Sequence, residues 1–428
     1  MMTELKEQLI NTRRKFHRFP EVGFTEFITT YEIYKALKPL AYTLYLGDDV
    51  LLRSARVGLP DDSVFEKSYD RAIKYGVPKE FLEYVKEGTT GVIATLDTGR
   101  PGPHFAARFD IDGLPITESE DASHKPKTED FISLHHGEMH ACGHDGHITT
   151  GLYLAEYINK HRDQLKGRFT LIFQAAEESV RGAKSVVEKG WLDDVDYFFS
   201  SHLGIRNLPA GTVSAATTDF LASTKFDVKF SGKSAHAGVE PNAGNNSLLA
   251  GSLAALNLNA IARHGGGSTR INVGTMTAGS GRNVIADQAY LEIETRGETK
   301  ELNQYMFNKA KTIIQAAADM YENDVEIIPV GEAPDAECSA ELIDAVKEAV
   351  KNNNHITDLK DTLSFGASED VTMMMERVLE KNGKATYMLF PFELEYGHHH
   401  PKFDLDESVL LLAASVYTDI VNYLMKND

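Results

Sequence analysis

One thiol, three imidazoles and a carboxylate lie within nine residues, Met139-His140-Ala141-Cys142-Gly143-His144-Asp145-Gly146-His147. Thiolate, imidazole and carboxylate are the ligands of Zn²⁺ and its transition-series neighbours. Two residues apart on extended backbone, Cys142 and His144 can aim at one point. The glycines let a metal approach the main chain. After His147 the chain turns apolar and helical over 148–158, so the cluster is expected on a turn feeding a helix. A hydrolytic site needs further donors, and the chain offers them at intervals. Asp110-Ile111-Asp112 closes an expected strand, Glu177-Glu178 follows the apolar run 168–174, and His202 follows Tyr197-Phe198-Phe199. His398-His399-His400-Pro401-Lys402-Phe403 stands near the C-terminus. Separate strand ends supplying Cys, His and Glu can build a two-metal hydrolytic site, with ions ~3.5–4 Å apart and a water as nucleophile. Of two adjacent glutamates, one can bind metal while the other takes the proton of that water.

The elements that must hold these groups read as α/β. Leu5, Leu9, Thr12 and Phe16 recur at helical spacing, and Pro20 stops that helix. Strands over 90–97 and 104–109, a helix, the buried run 168–174, a further helix and the run 197–199 follow. Polar residues at the ends of strands that alternate with helices are the doubly wound pattern, where ligands gather at carboxyl ends. Near residue 218 the texture changes. Lys225-Phe226-Asp227-Val228-Lys229-Phe230 alternates as a half-exposed strand, and the order to 331 is βαββαβ, a ferredoxin-like α+β module. The expected organisation is a catalytic domain of residues 1–217 and 332–428 with a central, mostly parallel sheet flanked by helices. A helical insertion interrupts it at 47–88, and the module of residues 218–331 is set into it. Nothing in 47–88 suggests chemistry.

The 428 residues exceed one typical core, which agrees with two domains. The net charge of −19 argues against nucleic acid and anionic membranes as partners. Two cysteines, Cys142 and Cys338, make no disulfide framework and point to a reducing compartment. The charged N-terminus is no signal peptide, and no run approaches the ~20 apolar residues of a bilayer span. The expected location is the cytoplasm. His264-Gly265-Gly266-Gly267 could form an oxyanion loop, but no Gly-x-Ser-x-Gly elbow accompanies it, so a serine hydrolase is discounted.

The motifs RRKFHRFPEVGFTE, RFDIDGLP, MHACGHDGH, FQAAEES, SHLG, FSGKSAHAG and NVIAD, in this order, resemble the dinuclear-metal aminoacylase and carboxypeptidase family. The branch is that of hippurate hydrolase and the plant auxin-conjugate amidohydrolases. The 47–88 segment with SARVGLPDD, together with TGVIATLDTGRPGP and SGRNVIADQA, is similar to the p-aminobenzoyl-glutamate hydrolase subfamily, in its A-type form. The resemblance implies a zinc-peptidase-like fold, two divalent ions (Mn²⁺ or Zn²⁺) and hydrolysis of an N-acyl amino acid. It implies Cys142, His144, Glu178, His202 and His399 as metal ligands, Glu177 as general base and Asp112 as a buttress of a ligand. Asp110 stands where many relatives have a ligand His and is not counted. The His-x-Pro-x-Phe spacing points to His399, with His398 and His400 left open. His236, in Ser234-Ala235-His236-Ala237-Gly238, matches a lid residue that steadies the oxyanion of a neighbouring protomer. Donors of that kind are worth ~2.7–4 kcal/mol. Asn283 and Arg296 match residues that hold the substrate carboxylate. A homodimer, or a heterodimer with a related B-type chain, is implied, with 218–331 as lid and dimer contact. The alternatives are a broader N-acyl-amino-acid amidohydrolase or dipeptidase, and a metal-binding chain that supports a paralogue.

Overall fold

In the computed structural model, which describes residues 2–426, two sheets organise the chain. In chain order the strands are β1 Thr43–Tyr45, β2 Val92–Asp97, β3 His104–Asp110, β4 Arg168–Gln174, β5 Tyr197–Asn207, β6 Thr212–Thr218, β7 Ala222–Ser231, β8 Thr269–Ala278, β9 Gln288–Gly297, β10 Asp324–Ala333, β11 Asp358–Ser364 and β12 Lys384–Phe392. Eight form one sheet in the order β1-β2-β4-β3-β5-β12-β6-β11. Its centre, β4-β3-β5-β12, is parallel, while β2 and β6 run antiparallel to their inner neighbours.

The central strands are apolar runs because helices cover both faces. Phe105, Ala107 and Phe109 of β3 enter one core. There they join Leu9 and Phe16 of helix Met2–His17, Ile148 of helix His144–His161 and Val409 of helix Ser408–Met425. Ala106 and Ile172 point the other way, to a core with Val186, Met374 and Val378. The period of two along each strand thus divides its residues between two cores. Helix Ser408–Met425 corrects one expectation. It is long and apolar enough by composition to cross a bilayer, but 61% of it is buried, because it is a core helix of this sheet.

Three strands were not expected from the sequence. β1 is three residues long, β11 is a charged and largely exposed edge, and β6 (TVSAATT) lacks large apolar side chains. Strand β5 runs past His202 to Asn207 rather than ending there. Its register with β12 breaks after the pair Leu203–Phe390, where Gly204 and Ile205 take positive φ, so His202 sits one residue before the break.

The second sheet, β10-β7-β9-β8, is wholly antiparallel. Phe226, Val228 and Phe230 face helices Ser247–Asn259 and Lys300–Met320, meeting Ala250, Ala254, Met306 and Ile314. The alternate residues Lys225, Asp227 and Lys229 stand opposite Glu294, Glu292 and Tyr290 of β9 on the other face.

Candidate active site and metal centre

Gly143 lies at φ 89 immediately before helix His144–His161, a left-handed turn that costs glycine least. That turn aims Cys142 and His144 inward together. His202 arrives from β5, so donor atoms of Cys142, His144 and His202 lie within 4.8 Å of one another. His144 Nδ1 donates to the Asp112 carbonyl at 2.9 Å, and an Asp112 carboxylate oxygen is 3.3 Å away. Nδ1 therefore carries a proton, and Nε2 is buried with no hydrogen-bond partner among the described residues. His202 is oriented alike: Nδ1 donates to Leu203 O at 2.8 Å, and Nε2 lies 3.4 Å from Cys142 Sγ. Burial first, then the neighbouring His147 and His398, hold the His202 imidazole well below its ordinary pKa, leaving it in the neutral, metal-binding form.

The third imidazole of the stretch is spent. His147 Nδ1 donates to Asp110, and its Nε2 accepts from Leu203 N at 3.0 Å. Asp110 also pairs with Arg108 at 2.7 Å. His140 is buried with neither ring nitrogen hydrogen-bonded among the described residues.

Glu177 and Glu178 sit on the loop after β4, and that loop is strained. Ala176, Ser179 and Val180 all take positive φ, at roughly 1–3 kcal/mol each for residues with a side chain. Three buried carboxylates hold it. Glu26 accepts from Ala176 N at 2.8 Å, Asp112 from Glu177 N at 3.2 Å and Glu178 N at 3.0 Å, and Asp370 from Gly182 N at 3.0 Å and Ala183 N at 2.8 Å. Asp112 thus orients His144 and the glutamate pair at once.

Glu178 Oε1 is buried and makes no hydrogen bond among the described residues. It lies 3.4 Å from His399 Nε2, an ion-pair distance without hydrogen-bond geometry. Cys142, Glu178 and His399 form one convergent group, and His144, Glu177 and Glu178 another. Of the three C-terminal imidazoles, His398 packs on the His202 ring at 5.3 Å and His400 stacks on Tyr396 at 4.7 Å. Only His399 of the three joins a donor group. The donor set, with His144 Nε2 and Glu178 Oε1 both buried and unpaired among the described residues and with His202 held neutral, fits divalent metal.

Two features lay outside the sequence reading. The carboxylates of Glu177, Glu369 and Asp370 converge within 4.8 Å. Glu369 accepts from Tyr387 Oη at 2.9 Å and, with Asp370, from Arg108 Nη2. Burial first, then Glu369, Glu178 and Asp370, push Glu177 well above the usual carboxylate range. The available signal was a second adjacent acidic pair heading an apolar helix, Val371–Glu380. The other is Lys225 of β7, which lies within electrostatic reach of Glu177 and Glu178.

The three residues expected from the smaller domain are not gathered at the cluster within this chain. His236 is exposed, and its Nδ1 accepts from Gly238 N at 3.1 Å. Asn283 meets the same loop through its carbonyl, which accepts from Ala237 N at 3.0 Å. Arg296 forms a two-point pair with Glu294 of its own strand, at 2.7 and 3.0 Å.

Sequence comparison agrees with this geometry. The profile of "Peptidase family M20/M25/M40" matches residues 106–423. The chain is 44% identical to indole-3-acetyl-aspartic acid hydrolase of Enterobacter agglomerans, covering 96% of this chain and 94% of that one. It is 43% identical to the A-type chain of p-aminobenzoyl-glutamate hydrolase from Escherichia coli K12, with the same coverage. Among solved structures it is similar to an aminobenzoyl-glutamate utilization protein from Klebsiella pneumoniae, with TM-score 0.84, 39% identity and coverage of 98% and 96%. A chain with a strained acidic loop, a Cys-Gly-His turn and convergent imidazoles thus aligns almost end to end with amide hydrolases, and it belongs to peptidase family M20/M25/M40 as a metal-dependent amidohydrolase.

Proposed function

We propose that this chain hydrolyses the amide between an aromatic acyl group and an acidic amino acid, with p-aminobenzoyl-glutamate, a folate breakdown product, as substrate. The observation that carries the chemistry is the convergence of Cys142, His144, Glu178, His202 and His399 beside a buried Glu177. The substrate class is supported by two relatives, named for an indole-acetyl aspartate and an aminobenzoyl glutamate. Both joined halves recur: an aryl acyl group and a dicarboxylic amino acid.

Cys142, His144, Glu178, His202 and His399 would hold two divalent ions. Thiolate and imidazole favour Zn²⁺, while the carboxylate admits Mn²⁺. Bound there, the ions supply Lewis acidity to the amide carbonyl and lower the pKa of water. Glu177 takes the proton of the attacking water and delivers it to the leaving nitrogen. Asp112 keeps His144 and the Glu177–Glu178 backbone in place. Arg296 and Asn283 take the α-carboxylate, where the planar guanidinium pairs a carboxylate in two-point fashion. His236 steadies the developing oxyanion from a second copy or a related B-type chain. Exposed Leu248, Leu249, Leu256 and Met276 on the smaller domain support assembly through that domain, which would act as lid and dimer contact. The enzyme would work in the cytoplasm.

The test is a panel of p-aminobenzoyl-glutamate, indole-3-acetyl-aspartate, hippurate and simple dipeptides on purified protein with Zn²⁺ or Mn²⁺, with and without the related B-type chain. Preference for the aryl conjugates of acidic amino acids is expected. Preference for hippurate or dipeptides would establish the broader amidohydrolase instead, and turnover only in the presence of the second chain would make this one its support. Arg296→Ala should raise KM for the glutamate conjugate far more than for its α-amide.

A further inference from the structure

The 47–88 segment holds no chemically suggestive residue, yet it walls a cavity that reaches the cluster. The cavity measures about 560 Å³, within the range of small-molecule pockets, and Glu178 and Ser179 lie on its wall beside Gly113, the neighbour of Asp112. Leu59 and Val64 of the segment, Leu114 and Pro115 of the turn after β3, and Val330 of β10 supply its apolar surface. The segment is built into this wall. Arg181 donates from Nε to Glu178 O at 2.9 Å and from Nη1 to Gly58 O at 2.8 Å. Gly58 takes φ +61, and a Cβ there would lie 2.5 Å from Val330 O.

The basic side chains at this cavity have partners. Arg181 serves two carbonyls, and Lys67 lies 3.6 Å from Glu138, which Arg71 also holds at 2.7 and 2.9 Å. Among the described residues each lysine and arginine of the lining has such a partner, and Asp61 and Glu178 add carboxylates to the wall. Apolar walls with carboxylates among them suit a flat ring and disfavour an anion. We propose that this cavity is the acyl subsite: it holds the aromatic ring of the substrate, and Leu59 and Val64 set the preference for aromatic over short acyl groups. This rests on the reading of an aryl-acyl substrate given above.

Turnover of p-aminobenzoyl-glutamate and N-acetyl-glutamate is compared on metal-loaded wild type, Leu59→Ala and Val64→Trp, and binding of p-aminobenzoate alone is titrated by ligand-observed NMR. Leu59 is 46% exposed, so its truncation leaves the fold intact. The aroyl-to-acetyl ratio of kcat/KM should fall about tenfold or more in each variant, the scale of losing or blocking a few methylene contacts. Binding of p-aminobenzoate should weaken by a similar factor. An unchanged ratio with unchanged p-aminobenzoate binding puts the ring elsewhere and overturns the subsite. Equal losses on both substrates with intact p-aminobenzoate binding overturn it as well, by making the wall structural. Absence of aroyl-glutamate turnover in the wild type would defeat the substrate reading instead. The subsite would then be decided by p-aminobenzoate alone, which must bind wild type and bind Val64→Trp less.

Discussion

The eight-stranded sheet is covered on both faces, whereas the four-stranded sheet packs helices on one face and carries Lys225, Asp227, Lys229, Glu292 and Glu294 on the other. The difference extends to the functional groups. Those at the ends of the large sheet are buried and oriented by partners of the same chain: Asp112 behind His144 and the glutamates, Leu203 O behind His202, Glu26 and Asp370 behind the loop. Those of the small domain are exposed or paired locally, as His236 is with Gly238 and Arg296 with Glu294. A preorganised site needs its first contacts fixed by a second layer. The metal centre has that layer in one chain. His236, Asn283 and Arg296 do not have it within this chain.

The strongest blow to this contrast is dealt at the metal centre. Cys142→Ala or His144→Ala should remove metal and activity together, seen by metal analysis alongside turnover; full metal occupancy in both variants would sink the ligand assignment. Glu177→Gln should keep its metal and lose ~10²–10⁴-fold in kcat, the usual cost of a lost general base. Near-normal turnover there would point to another base, with the neighbouring Glu369 first in line.

A smaller effect probes the unfinished domain. His236→Ala should lower kcat by ~10²-fold without changing metal content, on the scale of one lost oxyanion donor. Mixing it with Glu177→Gln chains should restore part of the activity if His236 serves the neighbouring site. No recovery in a verified mixed dimer would mean that His236 acts within its own chain or not at all.

The smallest expected effect concerns how one chain finishes its own large domain. His17 lies between Asp145 at 2.8 Å and Glu118 at 3.0 Å, with His124 on the far side of Glu118. Burial and Arg13 would lower the His17 imidazole, but its hydrogen bonds to Asp145 and Glu118 raise it to about 9. The folded state thus holds this proton more tightly than the unfolded chain does. The contribution is present in full below the ordinary value of 6.5 and lost as pH rises through about 9. Glu118 has the opposite sense. Burial would raise it, yet hydrogen bonds from His124 and His17 bring it to about 2, so its contribution is present above 4.5 and lost as pH falls toward 2. Urea unfolding should show stability falling by about 1–3 kcal/mol between pH 6.5 and 9, and His17→Gln should flatten that limb. An unchanged alkaline limb in the variant would remove His17 from the account.

Legible in the chain alone were the α/β class, the βαββαβ order of the second sheet and the residue types of the metal site, because two- and 3.6-residue periods and ligand chemistry are local properties. A metal-ligand reading of Cys142-Gly143-His144 could be argued from nine residues, and the fold brings their donor atoms together with His202. Long-range packing made the remaining choices. His147 and His399 are equally imidazoles, but His147 is consumed between Asp110 and Leu203 N, while His399 reaches Glu178. Glu369 and Asp370 reach Glu177 across roughly 190 intervening residues, a distance no window on the sequence spans. The 47–88 segment looked inert because its contribution is a wall, and a wall acquires meaning when the chain folds Leu59 and Val64 against the cavity that Glu178 also lines.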